Sequence, residues 1–213
     1  MIKKIIFDLD NTLMMFDEKY ITYYQTVLEA NGELFSFEDA YAIFNAVGQY
    51  EKCETIWDKQ RLLDFVNKQL NRSYSMTLLE QILDSIGDNW TNPVSDELID
   101  TLEYLSSKYE LYVLSNMFTN CQIKRLEKVG ISHYFKEIIG TDKIPMKPAP
   151  EAFLYFVEGN KNDECVMIGD SIYYDIDGAL SIGMRAILFD HKDIYKDTNY
   201  NRVVKIEKLM DIL

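Results

Sequence analysis

The sequence predicts an α/β fold: a parallel sheet covered by helices, with a small all-helical insert after the first strand. Three observations point to it. Short apolar runs of strand length alternate with helix-length apolar stripes near the start and through the second half of the chain. Roughly residues 16–90 carry helical stripes and no confident strand. The polar residues suited to chemistry lie directly after the apolar runs. Strand and helix alternation implies parallel pairing with both sheet faces covered.

In chain order, Ile5-Ile6-Phe7 reads as the first buried strand. Tyr20, Tyr23, Tyr24, Val27 and Leu28 then recur at i, i+3, i+4, i+7 and i+8, one face of a helix. Ser36 is a plausible N-cap for a second helix, with Glu38 and Asp39 in its first turn. Leu62, Val66 and Leu70 mark a third helix, and Leu79, Ile82, Leu83 and Ile86 a fourth. Four such stripes can pack as a small bundle, and periodic apolar spacing is what packing requires. The chain is expected to return to the sheet near Thr91-Asn92-Pro93. This divides it into a core of residues 1–15 and 91–213 and a helical domain of residues 16–90, with Met14, Met15 and Phe16 opening the linker. Leu98, Leu102 and Leu105 precede a strand at Leu111–Leu114. Ile123, Leu126 and Val129 form another helix, with Gly130 where a helix C-terminus favours glycine. Glu137–Ile139, Val166–Ile168 and Ala186–Phe189 complete the strands.

Composition narrows the function. The 213 residues are 47% apolar and 27% charged, a globular balance, with a net charge of -13. That surface repels phosphate backbones, so no nucleic acid polymer is expected as a partner. No stretch approaches a membrane span, and Asp8 and Asp10 interrupt the apolar run after Lys3-Lys4 too early for a secretory leader. Cys53, Cys121 and Cys165 lack metal-type spacing and fit a reduced, cytoplasmic location. His133 and His191 are assigned to no chemistry.

Four segments carry chemical potential. In Asp8-Leu9-Asp10-Asn11-Thr12, the alternation can direct both carboxylates to one side at the C-terminal end of a strand, where open α/β sheets bind ligands. Two close carboxylates repel unless a cation or a shared proton relieves them, and a hard cation suits oxygen ligands. Ser115-Asn116 ends the next strand with donors for a phosphoryl oxygen. Lys147-Pro148 offers a positive charge on a restricted backbone. Gly169-Asp170-Ser171 follows another strand and can bring a third carboxylate to the same rim, with Asp175 five residues beyond Asp170. Taken singly, each segment also reads as an ordinary turn, loop lysine or helix start.

Together and in this order, these segments resemble the haloacid dehalogenase-like superfamily in its phosphatase branch. The resemblance spans essentially the whole chain. It implies a Rossmann-like parallel-sheet core with a helical cap at residues 16–90. It implies a magnesium-dependent phosphatase acting on a small phosphorylated metabolite. Asp8 would attack phosphorus and become an aspartyl phosphate, and Asp10 would be the general acid and then activate water. Asp8, the backbone carbonyl of Asp10, and Asp170 would hold Mg2+. Ser115, Asn116 and Lys147 would bind the transferring group, with Thr12, Ser171 and Asp175 in support. Asn11 replaces a frequent glycine, and Tyr174 a frequent asparagine. Dehalogenases typically lack the second aspartate, so Asp10 favours phosphoryl transfer. A phosphomutase of the beta-phosphoglucomutase type would share these residues, and a non-catalytic phospho-accepting or binding protein is the other alternative. Monomer and dimer are both open.

Overall fold

The computed structural model describes residues 1–31 and 36–213. Its centre is a six-stranded parallel sheet in the order β3-β2-β1-β4-β5-β6. The strands are β1 (Lys4–Phe7), β2 (Glu110–Ser115), β3 (Glu137–Gly140), β4 (Cys165–Gly169), β5 (Arg185–Phe189) and β6 (Arg202–Val203). In β1, Ile5, Ile6 and Phe7 are all buried, as expected of a strand covered on both faces. The strand order reverses direction at β1, which pairs with β2 on one side and β4 on the other. Such a reversal opens a crevice beyond the carboxyl ends of the strands.

Every helix expected from periodicity is present. After a short 3₁₀ turn at Glu18–Tyr20 come α1 (Ile21–Ala30), α2 (Phe37–Cys53), α3 (Lys59–Leu70) and α4 (Met76–Asn89). Ser36 caps α2 through a reciprocal pair with Asp39. The chain re-enters the sheet region through α5 (Asp96–Ser106) and α6 (Thr119–Lys128), and Gly130 takes the left-handed conformation just past α6. The shorter helices α7 (Pro150–Val157), α8 (Gly178–Ser181) and α9 (Leu209–Ile212) complete the cover. No described helix is long and apolar enough to cross a membrane.

Several features were not anticipated, the short helices α7, α8 and α9 among them. The sixth strand is two residues long at the sheet edge, too short to show periodicity. Asp175 lies in a π-helical turn at Ile172–Asp177. The inner face of α6 is partly polar: Gln122 and Arg125 are buried beside Cys121 and Leu126. The stripe Ile123, Leu126, Val129 therefore describes only part of that face.

The helices of the insert share one apolar cluster that includes Tyr20, Tyr24, Tyr50, Leu62, Ile82 and Trp90. Met117, Phe118, Cys121 and Met146, from the loops and helix around β2 and β3, join the same cluster. Backbone hydrogen bonds reinforce this seam, from Trp57 to Thr141 (2.8 Å) and from Met146 to Thr55 (2.7 Å).

Candidate active site

The first residue past β1 is Asp8. Its N–H continues the ladder by donating to the Ile168 carbonyl at 2.8 Å, which locks it beside β4. The loop then reverses tightly. Asn11 adopts a left-handed backbone at φ 60°, and its side chain accepts from the Phe16 N–H at 3.1 Å. Asparagine tolerates that conformation better than most side chains, which explains how it serves where a glycine would otherwise be expected.

Lys147 converges on Asp8 from the loop after β3. Its Nζ lies 2.6 Å from Asp8 Oδ1 and 2.6 Å from Asp175 Oδ1. Asp175 also accepts from the Ser171 N–H at 3.0 Å, so it ties the ammonium to the loop after β4. Gly169 permits this approach: a Cβ there would lie 2.3 Å from Asp175 Oδ2. Carboxylate oxygens of Asp8, Asp170 and Asp175 all fall within 4.8 Å of one another. Three carboxylates thus crowd around one ammonium. Burial, reinforced by the charges of Asp175 and Asp170, pushes the Asp8 carboxyl well above its ordinary value despite Lys147. Burial and Asp175 likewise push Asp170 up to about 6. Lys147 is raised: burial opposes its charge, but Asp175 and Asp8 outweigh it.

Asp10 points elsewhere. Arg125 grips both of its oxygens, at 2.6 and 3.1 Å. The guanidinium is almost wholly buried and also donates to the Trp90 carbonyl (2.7 Å) and to Gln122 Oε1 (2.8 Å). That second bond turns the Gln122 amide so that Nε2 donates to Ser115 Oγ at 2.6 Å. A hydroxyl that accepts from Gln122 keeps its own proton to donate. One relay therefore fixes both Asp10 and Ser115. The helix that carries it has no capping side chain of its own; Asp142 supplies one, accepting from the Thr119 N–H at 2.7 Å.

Asn116 holds the Lys147 main chain at both ends, donating to its carbonyl (3.0 Å) and accepting from its N–H (2.9 Å). It also donates to Glu51 of α2 at 2.9 Å. Ser171 caps the π-helical turn by accepting from the Tyr174 N–H. The Thr12 hydroxyl is buried without a hydrogen-bond partner among the described residues.

The structure therefore gathers Asp8, Lys147, Asp170 and Asp175 into one cluster, with Ser171 beneath it. Asp10 and Ser115 belong to the adjoining relay, and the Asp10 carboxylate lies outside the three-acid cluster. Arg125, Gln122 and Glu51 were missed. Two polar residues three apart within a core-facing stripe were the available signal for Gln122 and Arg125; Glu51 offered none. The three-acid cluster suits a hard divalent cation: all donors are carboxylate oxygens, and negative charge is in excess.

A family model described as haloacid dehalogenase-like hydrolase matches residues 2–183. The chain is 23% identical to the pyrimidine 5'-nucleotidase PynA of Streptococcus pneumoniae, over 99% of this chain and 93% of that one. It is 26% identical to the ribulose-1,5-bisphosphate 5-phosphatase of Halopiger xanaduensis, over 87% of this chain and 84% of that one. Among solved structures, the putative hydrolase YfnB of Bacillus subtilis, a magnesium-bound crystal form, superposes with a TM-score of 0.79 at 20% identity, covering 100% of this chain and 98% of that one.

Proposed function

We propose that this chain, which belongs to the haloacid dehalogenase-like hydrolase family and is a phosphatase of it, cleaves small phosphomonoesters by way of an aspartyl phosphate on Asp8. The observation that carries the reading is the Asp8–Lys147–Asp175 knot beside Asp170, at the carboxyl edge between β1 and β4. An acid in that place has one firm side-chain partner, which it shares, and it faces the crevice where α/β sheets bind ligands.

In this mechanism Asp8 Oδ attacks phosphorus and the ester oxygen departs with its electron pair. Asp10, protonated and released from Arg125, gives that oxygen a proton, then takes one from the water that hydrolyses the acyl phosphate. Ser115 donates to a phosphoryl oxygen, and Lys147 offsets the charge that develops there. Any phosphate contact from Asn116 falls to its backbone N–H, since its side chain is engaged with Glu51 and Lys147. Asp8, Asp170 and the Asp10 carbonyl would hold Mg2+. When bound, it would neutralise the crowded carboxylates and the entering phosphate. Ser171 and Asp175 keep the loop after β4 in place, and Thr12 supports the loop after β1 through its N–H, which donates to the Leu9 carbonyl at 3.3 Å. Residues 16–90 act as a cap that shields the reaction from water.

The test is phosphate release from p-nitrophenyl phosphate with and without magnesium. Release that requires the metal and disappears in Asp8→Asn is the expected result. Release by Asp8→Asn at the native rate would remove Asp8 as nucleophile.

A further inference from the structure

Outside the four motifs, a carboxylate of the helical insert reaches the site. Glu51 lies in the last turns of α2 and accepts from Asn116 Nδ2 at 2.9 Å. Through Asn116 it is one link from the main chain of Lys147. It is only partly exposed, and burial pushes its carboxyl above its ordinary value, while Asn116 and the nearby Lys147 pull the other way. Asp10 and Asp175 are close enough to act on it as well, and the Tyr174 phenol feels its charge in turn. One turn earlier on the same helix, Gly48 has open space where a side chain would project. Glycine inside a helix is unfavourable relative to alanine, and here it leaves the helix surface next to Glu51 unfilled.

The site's charges are strongly one-sided. Asp8, Asp10, Asp170, Asp175 and Glu51 face two buried cations, Lys147 and Arg125. Both cations are already taken: Lys147 by two carboxylates, and Arg125 by Asp10, Gln122 and the Trp90 carbonyl. Glu51 therefore offers an acceptor and a negative charge on the insert side of the site, and both buried side-chain cations described near it are already engaged.

We propose that Glu51 sets the substrate class of the phosphatase reaction inferred above, on which this assignment rests. It accepts esters whose leaving group is uncharged and carries hydroxyl or N–H donors. It rejects those that bear a second phosphate or a carboxylate, because like charges brought together in a half-buried site repel strongly.

Glycerol 3-phosphate and 3-phosphoglycerate form a matched pair, differing by a hydroxymethyl group against a carboxylate. With the full chain and magnesium, kcat/KM should favour glycerol 3-phosphate by about 10²-fold, the scale of a like-charge penalty. Glu51→Gln keeps an acceptor for Asn116 and removes the charge, so the preference should shrink to roughly tenfold or less, mainly through better use of 3-phosphoglycerate. Glu51→Lys should carry it past parity. A native ratio near one, or a ratio unchanged in both variants while p-nitrophenyl phosphate is still hydrolysed, would overturn the role of Glu51 alone. Failure of the native chain to hydrolyse any of the three esters would overturn the phosphatase reading and this assignment with it.

Discussion

Asp8 and Asp190 hold matching places in the sheet. Each is the first residue after a parallel strand, β1 and β5, and each is buried. Their surroundings are opposite. Asp190 accepts from the Tyr195 N–H (2.8 Å), the Ile194 N–H (3.0 Å) and Arg202 Nε (2.7 Å). Burial pushes its carboxyl up, but the Tyr195 amide, the Arg202 guanidinium and the Ile194 amide together hold it below its ordinary value. Asp8 has Lys147 and must share it with Asp175, while Asp170 adds further negative charge. A buried acid with a full set of donors is finished as structure. One that is short of donors is left wanting a cation or an electrophile, which is the condition of a functional group.

The sharpest way to break this contrast is to neutralise each acid. Asp8→Asn should lower turnover by about 10⁴-fold or more, as removal of a nucleophile does, while unfolding free energy shifts by less than about 1 kcal/mol. Steady-state assays and denaturant melts read the two effects separately. A large loss of stability with activity retained would reverse the assignment.

Asp10 stands between the two cases, because it is fully paired yet partly exposed. If Arg125 positions an acid and does not merely fill space, Arg125→Met should act through the leaving group. Turnover of glycerol 3-phosphate should fall by about 10²-fold, within the usual range for general acid catalysis. Hydrolysis of p-nitrophenyl phosphate, whose leaving group needs no proton, should fall much less. Equal losses on both substrates would make the guanidinium purely structural.

Metal addition probes the surplus charge around Asp8. Magnesium at 100 times its dissociation constant should stabilise the native chain by about 2.7 kcal/mol. Chelation should reverse the gain, and Asp170→Asn should abolish it. An equal gain in that variant would place the cation elsewhere.

The smallest effect belongs to Asp190→Asn, which should cost about 1–3 kcal/mol of stability and leave kcat unchanged. The sign of its pH dependence is fixed. The folded carboxyl lies below its ordinary value of 3.8, so its contribution is present above that pH and disappears as pH falls through the folded value. Melts of native and variant chains should therefore converge in strong acid. A gap that widens below pH 3.8 would contradict the lowered value.

How much of this was legible depended on whether a residue announces itself locally. Ile5-Ile6-Phe7 and the stripe Leu79, Ile82, Leu83, Ile86 carry their periods in a few residues, so strand and helix could be read directly. Asp8, Lys147 and Asp170 follow strands or precede proline, and the ordered set was recognisable. Arg125 was not, because its partners Asp10 and Trp90 are 115 and 35 residues away, and an arginine on a helix is ordinarily solvated. Glu51 was hidden for the same reason: only the tertiary fold brings it from α2 to Asn116, just past β2 and 65 residues on. The contrast between Asp8 and Asp190 was equally invisible, since it lies in donors from other segments.

The nucleophile assignment is tested most directly by trapping the intermediate. Asp10→Asn, acid-quenched while turning over p-nitrophenyl phosphate with magnesium, should carry one phosphoryl group on the peptide that contains Asp8, and Asp8→Asn should carry none. Steady release of p-nitrophenol with that peptide unmodified, or with the phosphoryl group on another residue, would contradict the account.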